Sequence, residues 1–291
     1  MQQVFINIIL SFVLYLLIAK SFSIVNGNTQ FFHIAHAIPL TISGYFVYLF
    51  SIQLNLNVII SICLALLLAT LIGMGFEYLF YRPFRKRNAS SWIVMIASIS
   101  LYTVLQNLIS ILWSDSTKSI RFWEISVGHS ILGARITNLQ ILMVFICIFL
   151  YIVSMLYING TRFGRKMRAV SSNSELCNII GIHSDQITLI AFLIGSFLVS
   201  VAGILIAYDI DLRPTMGFNW LLYSVVAMIF GGSGNSWWLA LSAFLLAALL
   251  HGATYFFGNQ LTDTIVFGLL IIFFLAKPFG FSKQRFKKVE I

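Results

Sequence analysis

Acidic residues are scarce in this chain. Asp and Glu number nine among 291 residues, Lys and Arg 18, and all charged residues together make up 9%. A soluble domain carries roughly 25% charged residues, so there is too little polar surface here to coat a water-soluble globule. Cysteine is equally sparse. Cys63 and Cys147 lie inside apolar runs and Cys177 in a polar loop, with no CxxC or Cys/His spacing. Neither a disulfide framework nor a zinc site is indicated, and no cofactor is expected. There is no G-x-x-x-x-G-K-[ST] phosphate loop; Gly231-Gly232-Ser233-Gly234 lacks the lysine and reads as a turn. Few ionisable groups sit inside the apolar runs. That counts against a proton- or sodium-driven carrier. An intramembrane enzyme would want convergent acids, bases or nucleophiles, and Asp209, Asp211 and His251 read as loop acids and a packing histidine rather than such a set.

What is present is apolar: 59% hydrophobic residues and a mean hydropathy of +0.95. The runs at 4–25, 31–50, 56–81, 92–113, 139–157, 187–208, 220–230, 237–257 and 264–276 each approach the roughly 20 residues that cross a bilayer as a helix. The fold class expected is an all-α polytopic membrane protein of about eight to nine transmembrane segments, some broken or re-entrant, forming a single domain over 1–291. The start lacks a basic region and a small-residue cleavage site, so it reads as a retained first span.

The net charge of +9 is concentrated in short clusters at 82–87, 162–168, 277–283 and 285–288. They flank apolar spans, so topology explains them without nucleic acid. Loops rich in Lys and Arg stay on the cytoplasmic side. Loops 82–91 and 159–186 and the tail 277–291 are therefore placed inside. Loop 114–138, with Asp115, Lys118, Arg121, Glu124 and Arg135, and the stretch Asp209, Asp211, Arg213 are placed outside. The sides alternate as single crossings require. Counting back puts the N-terminus outside, or inside if 31–50 is re-entrant.

Two segments are irregular. Pro39 interrupts 31–50, and Gly231 and Gly232 loosen the end of 220–234. They are either a plain kink and turn or walls of a path through the membrane. Ser196, Ser200, Gly203 and Ala207 share one face of 187–208, and Ala240, Ala243, Ala247 and His251 one face of 237–257. Small residues on one face let helices approach closely in lipid. Candidate path residues are His36, Pro39, Gly44, Ser200, Gly231, Gly232 and His251, of which the two histidines are the expected mid-membrane titratable groups. Glu77 is expected to pair with Arg82, Lys20 to snorkel from near a span end, and Asp263 to cap the last helix.

The most informative polar segment is 161–186, TRFGRKMRAVSSNSELCNIIGIHSDQ. Ser172 as N-cap with Glu175 closing a capping box, Leu176, Ile179 and Ile180 at helical spacing, and Gly181 as the stop predict a short amphipathic helix. Such a helix needs a surface to lie on, either lipid or a partner protein.

This segment resembles the cytoplasmic coupling loop of permease subunits of ABC importers, in the branched-chain amino acid permease family. The family pattern, roughly F-G-x-x-M-R-A-V, then N, then A, then G-I, is met by Phe163, Gly164, Met167, Arg168, Ala169, Val170, Asn173, Gly181 and Ile182, with Cys177 in place of alanine. Residues 202–205, Pro214, Met216, Gly217, 226–234 and 269–280 resemble the family's second half. The family's N-F-A-H-G motif is reduced to His33-Ile34-Ala35-His36-Ala37, and Trp237 and Trp238 replace smaller residues.

The resemblance implies a permease subunit of the bacterial cytoplasmic (inner) membrane, C-terminus inside, without ATP-binding or enzymatic activity of its own. The implied partners are membrane lipid, a homologous second permease subunit, two ATP-binding subunits and an extracytoplasmic solute-binding protein, and no nucleic acid. Branched-chain or related amino acids are the implied solute. Arg168, Asn173, Glu175, Leu176, Ile179 and Gly181 in the coupling loop 159–186 would dock on an ATP-binding subunit. The alternative is a stand-alone carrier or channel for a small polar solute such as urea or an amide.

Overall fold

A computed structural model describes residues 1–120, 128–131, 133–232 and 234–276. Arg121 and Glu124 of the mixed loop, Ser233 of the glycine turn, the basic tail 277–291 and the end of the 269–280 signature lie outside the described residues.

The chain is an all-α polytopic membrane protein. Its helices are α1 (Gln2–Thr29), α2 (Ala37–Tyr48), α3 (Val58–Gly75), α4 (Arg82–Lys86), α5 (Ser91–Trp113), α6 (Asn138–Gly160), α7 (Arg162–Ser172), α8 (Ser174–Ile179), α9 (Ser184–Asp209), α10 (Met216–Gly231), α11 (Ser236–Phe257) and α12 (Asn259–Ala276). A 3-10 turn (Ile34–His36) leads into α2, and π-helical turns end α2 (Leu49–Gln53) and α3 (Phe76–Tyr81). Seven helical stretches among the described residues are long and apolar enough to cross a membrane, and the 16-residue α10 is a shorter apolar helix. With α12 they match the nine predicted runs. The one sheet among the described residues is a small hairpin, β1 (His129–Ile131) with β2 (Ala134–Ile136).

Pro39 does not break α2. It stands in the first turn, where a missing N–H costs no intrahelical bond. Residues 34–53 therefore form one continuous helical stretch, long and apolar enough to cross a membrane. Contacts at the two ends of α1 show what each lies beside. Gln3 exchanges hydrogen bonds with the Arg135 backbone beside the hairpin, while Gln30 Nε2 donates to Ser171 O of α7 at 2.7 Å. The start of α1 thus lies at the hairpin end and its finish at the basic end, beside α7.

At the centre stand α1, α2 and α9, the most buried spans. Leu17, Ile18, Phe22, Phe192 and Val199 fill their contacts. The predicted small-residue face of α9 makes this packing possible. A Cβ on Gly203 would strike Leu40 O, one on Gly44 would meet Ala207 and Leu212, and one on Gly73 would strike Ser196. Ser200 Oγ approaches Pro39 O at 3.4 Å. Close helix contact replaces the hydrophobic drive that lipid does not supply. α3, α5, α6 and α11 surround this centre and turn large apolar side chains outward, among them Leu67, Ile111 and Phe145, as lipid-facing helices require.

Lys20 and Asp263 depart from expectation. Lys20 is 7% exposed and does not snorkel; α1 is too central to let it reach water, and its amino group donates to Ser236 Oγ at 3.0 Å. Asp263 lies inside α12, one turn past its start, and accepts from the Tyr223 hydroxyl.

Candidate functional site

The basic end carries a built structure. α7 begins where the Thr161 hydroxyl caps Gly164 N at 3.0 Å. Gly164 lies against the backbone of Ile158, where no side chain would fit. Met167 and Val170 are buried beneath α7, while Arg162, Arg165 and Lys166 face outward. Arg168 folds back and donates to Ile158 O, placing a cation on the carbonyl end of α6.

The predicted single helix is in fact two. Ser172 is the last residue of α7, so it cannot cap. Asn173 takes an extended backbone, ends α7 and caps α8, its Oδ1 accepting from Leu176 N at 2.9 Å. Asparagine outranks serine here because the preceding turn is already helical, which leaves the cap one residue later. Glu175 stays in the first turn of α8, where its charge suits the helix dipole, without closing a capping box.

Gly181 stops α8 as predicted, at φ 84°. Gly181 N donates to Asn178 O and Ile182 N to Cys177 O at 2.8 Å, a paired C-terminal closure that needs a left-handed residue. Asn178 Oδ1 then accepts from Ser184 N at 3.0 Å, tying α8 to the first residue of α9. Cys177 is buried against the protein, whereas Leu176, Ile179 and Ile180 are exposed, Ile179 at 81%. The apolar face thus points away from the rest of the chain.

An ion network stands next to this segment. Arg85 binds Glu77 and, at 2.9 Å, Asp185; Arg82 binds Asp185 at 3.1 Å. Glu77 pairs with Arg85, not with Arg82 as expected, because the π turn rotates the end of α3 before α4 begins. The network fastens α3 and α4 to the first turn of α9, directly after α8. Nothing in the spacing of these residues announced it, since Asp185 is 100 residues from Arg85.

The seven path candidates are not gathered around one cavity. Pro39 and Ser200 meet between α2 and α9, and Gly44 lies under Leu212. Gly231 packs on Leu239, and Gly232 caps α10 at φ 77°. His251 Nε2 is 2.8 Å from Ser11 Oγ on α1. His36 is buried, its Nε2 2.6 Å from Ser21 Oγ. Ser21 gives its only proton to Gly195 O at 2.7 Å, so His36 carries its own on Nε2. Histidines at helix contacts, each with a hydroxyl partner, are what packing alone would produce. The interior also holds two ionisable groups that the sequence did not place there, Lys20 and His33. His33 is enclosed by Tyr81, Phe192 and His36, with ring centroids 4.9 to 5.3 Å away.

Residues 4–275 match the family described as branched-chain amino acid transport system, permease component. The chain is 29% identical to the high-affinity branched-chain amino acid transport system permease protein BraD of Pseudomonas aeruginosa, over 91% of this chain and 90% of that one. It is 25% identical to LivH of Salmonella typhimurium, and 24% identical to LivH of Escherichia coli, each over 96% of this chain and 94% of the relative. Both are named permease proteins of the same kind of high-affinity system.

Proposed function

The chain belongs to the permease-component family of branched-chain amino acid transport systems, and from that membership we propose that it forms half of the path by which an ATP-driven importer moves branched-chain or related amino acids across the bacterial cytoplasmic membrane. The basic end with α7 and α8 faces the cytoplasm and the hairpin end the outside, by the distribution of Lys and Arg. A homologous permease supplies the other half. Two ATP-binding subunits supply hydrolysis, and an extracytoplasmic binding protein delivers the solute.

The observation that carries the proposal is the exposed apolar edge of α8. Leu176, Ile179 and Ile180 face away from the protein on a six-residue helix, too short to persist on its own. A cleft on an ATP-binding subunit would cover that edge. Movement of the edge would reach the membrane by three fastenings: Asn178 to α9, Arg168 to α6, and Gln30 of α1 to α7. Closure of the ATP-binding subunits would then bias a rocking of the central helices between two states.

The test is purification of the chain from its native membrane in mild detergent, followed by reconstitution of what co-purifies. An ATP-binding subunit and a second permease in the complex, with ATP-dependent uptake of L-leucine, are the expected result. Uptake by this chain alone, without ATP, would replace the proposal with a stand-alone carrier or channel.

A further inference from the structure

α5 differs from the other helices that surround the centre. It runs from the basic end to the loop that leads into the hairpin, and no charged residue lies in it. Val94, Ser98 and Ile109 are buried and hold it to the bundle, against α2 and the 3-10 turn. On its open side Ser100, Thr103 and Asn107 are exposed, with Gln106 and Ser110 half-buried beside them. Spacings of three and four put these five on one flank. The flank starts at mid-span and runs about 15 Å toward the hairpin end, roughly half the hydrocarbon thickness. Tyr102 borders it on one side, packed on Phe218 of α10 with ring centroids 5.3 Å apart. Val104, Leu108 and Ile111 border it on the other, and all three are exposed. Among the described residues, the exposed mid-span side chains of α3, α6 and α11 are apolar, as at Leu67, Phe149 and Leu245, or a thiol at Cys63.

Lipid is a poor cover for this flank, because an amide there would lose its water and gain no partner. The hydrogen bonds show what the flank can receive. Ser100 Oγ donates to Ile96 O and Thr103 Oγ1 to Ile99 O, each at 3.0 Å, and Asn107 Nδ2 donates to Thr103 O at 2.7 Å. Both hydroxyl protons are therefore committed to the helix itself. What these residues turn outward is mainly acceptors: the lone pairs of the two hydroxyl oxygens, and Asn107 Oδ1, which accepts from no described residue. A row of neutral acceptors suits an ammonium, which brings donors and no acceptor. It holds that group less firmly than a carboxylate would, and passage needs sites weak enough to leave. Laid against a helix of the same kind, the row would set acceptor against acceptor, so a dry contact with a second copy uses it poorly. We propose that this flank of α5 is a wet wall of the solute path in the half nearer the hairpin end, along which the ammonium of an amino acid passes. The proposal rests on the importer function above and adds residues that form the path. None of them is among the seven candidates drawn from the sequence.

The experiment uses the full assembled transporter in proteoliposomes with its binding protein. Ser100→Cys, Thr103→Cys and Asn107→Cys are each made, with Val104→Cys and Leu108→Cys as controls on the apolar side. A membrane-impermeant cationic thiosulfonate is added, with and without ATP, and labelling of this chain is read above that of the unsubstituted complex. The three flank positions are expected to react at least tenfold faster than the controls, and saturating L-leucine to slow them at least threefold. Asn107→Leu, which removes the open acceptor at similar volume, is expected to lower uptake of labelled L-leucine at least tenfold, with Val104→Leu unchanged. Flank positions that react no faster than the controls in either nucleotide state, in complexes that assemble normally, overturn the wall in favour of a dry contact with the second permease. Fast reaction that leucine does not slow also overturns the proposal, because the flank is then wet without carrying solute. If Asn107→Cys does not assemble, Ser100→Cys and Thr103→Cys, which are smaller changes, decide between the same outcomes. A wild-type complex that hydrolyses ATP but takes up no amino acid refutes the importer function itself, which separates the two failures.

Discussion

Removing the guanidinium of Arg85 should do more damage than removing its whole ion pair. Glu77 is 1% exposed on its side chain, and Arg85 is its ion-pair partner. Arg85→Gln leaves a buried carboxylate without its ion-pair partner, and breaking a buried pair from one side costs about 3–5 kcal/mol. Adding Glu77→Gln removes the stranded charge, and amide-to-amide contact keeps hydrogen-bonding capacity in place. Replacement of both members of a buried pair is often close to neutral. The Arg85–Asp185 contact, lost in both variants, weighs little in this comparison. Its side chains are 34% and 33% exposed, and such pairs contribute about 0–1 kcal/mol. The double variant should therefore regain most of what the single variant loses. At roughly 2 °C per kcal/mol for a chain of this size, Arg85→Gln should lower the Tm of the purified complex by about 6–10 °C, and the double variant by less than half of that. The assay is thermal unfolding in detergent at fixed salt, with both Glu77→Gln and Arg85→Gln alone to close the cycle. Equal Tm for Arg85→Gln and the double variant would refute the claim that an uncompensated Glu77 is what the single variant suffers from.

Ile179→Asp places a charge on the apolar edge of α8 without touching the core. Uptake is expected to fall at least tenfold and solute-stimulated ATP hydrolysis with it, while the two permeases still co-purify; unchanged stimulation would remove α8 from the docking surface. Gly203→Val drives a side chain into Leu40 O and should cost about 1–3 kcal/mol or more, read as a lower Tm and lower yield from membranes, with a milder loss for Gly203→Ala. Lys20→Met removes a buried ammonium that has no ion-pair partner among the described residues. Its desolvation cost disappears while the stem's packing is kept, so Tm should stay level or rise; a fall of several degrees would mean that the charge itself is stabilising.

Much of the architecture was legible from composition and spacing. The nine apolar runs correspond to the spans, within five residues at nearly every end. The small residues of α9 line the contacts with α2 and α3, Gly181 ends α8, and Leu176, Ile179 and Ile180 share an outward face. These are consequences of local periodicity. The misreadings were those that needed a neighbour. Ser172 resembled a cap because the helix before it could not be seen. Lys20 resembled a snorkelling residue because nothing local showed that α1 is enclosed by α6, α9, α10 and α11. Glu77 was assigned Arg82, five positions on, because a π turn cannot be read from hydropathy. The hairpin at 129–136 went unseen between two membrane helices.

The sequence by itself determined which segments are long and apolar enough to enter the membrane and how Lys and Arg are shared among the loops between them. Lipid imposes those rules on every segment separately, through length, apolarity and flanking charge. Only the tertiary structure decided which helix is central, which carboxylate meets which arginine, and that Ser100, Thr103 and Asn107 of α5 are left uncovered. Those outcomes depend on contacts between residues 100 and more positions apart, and a buried charge or a missing Cβ acquires its energetic meaning only from the atoms placed against it.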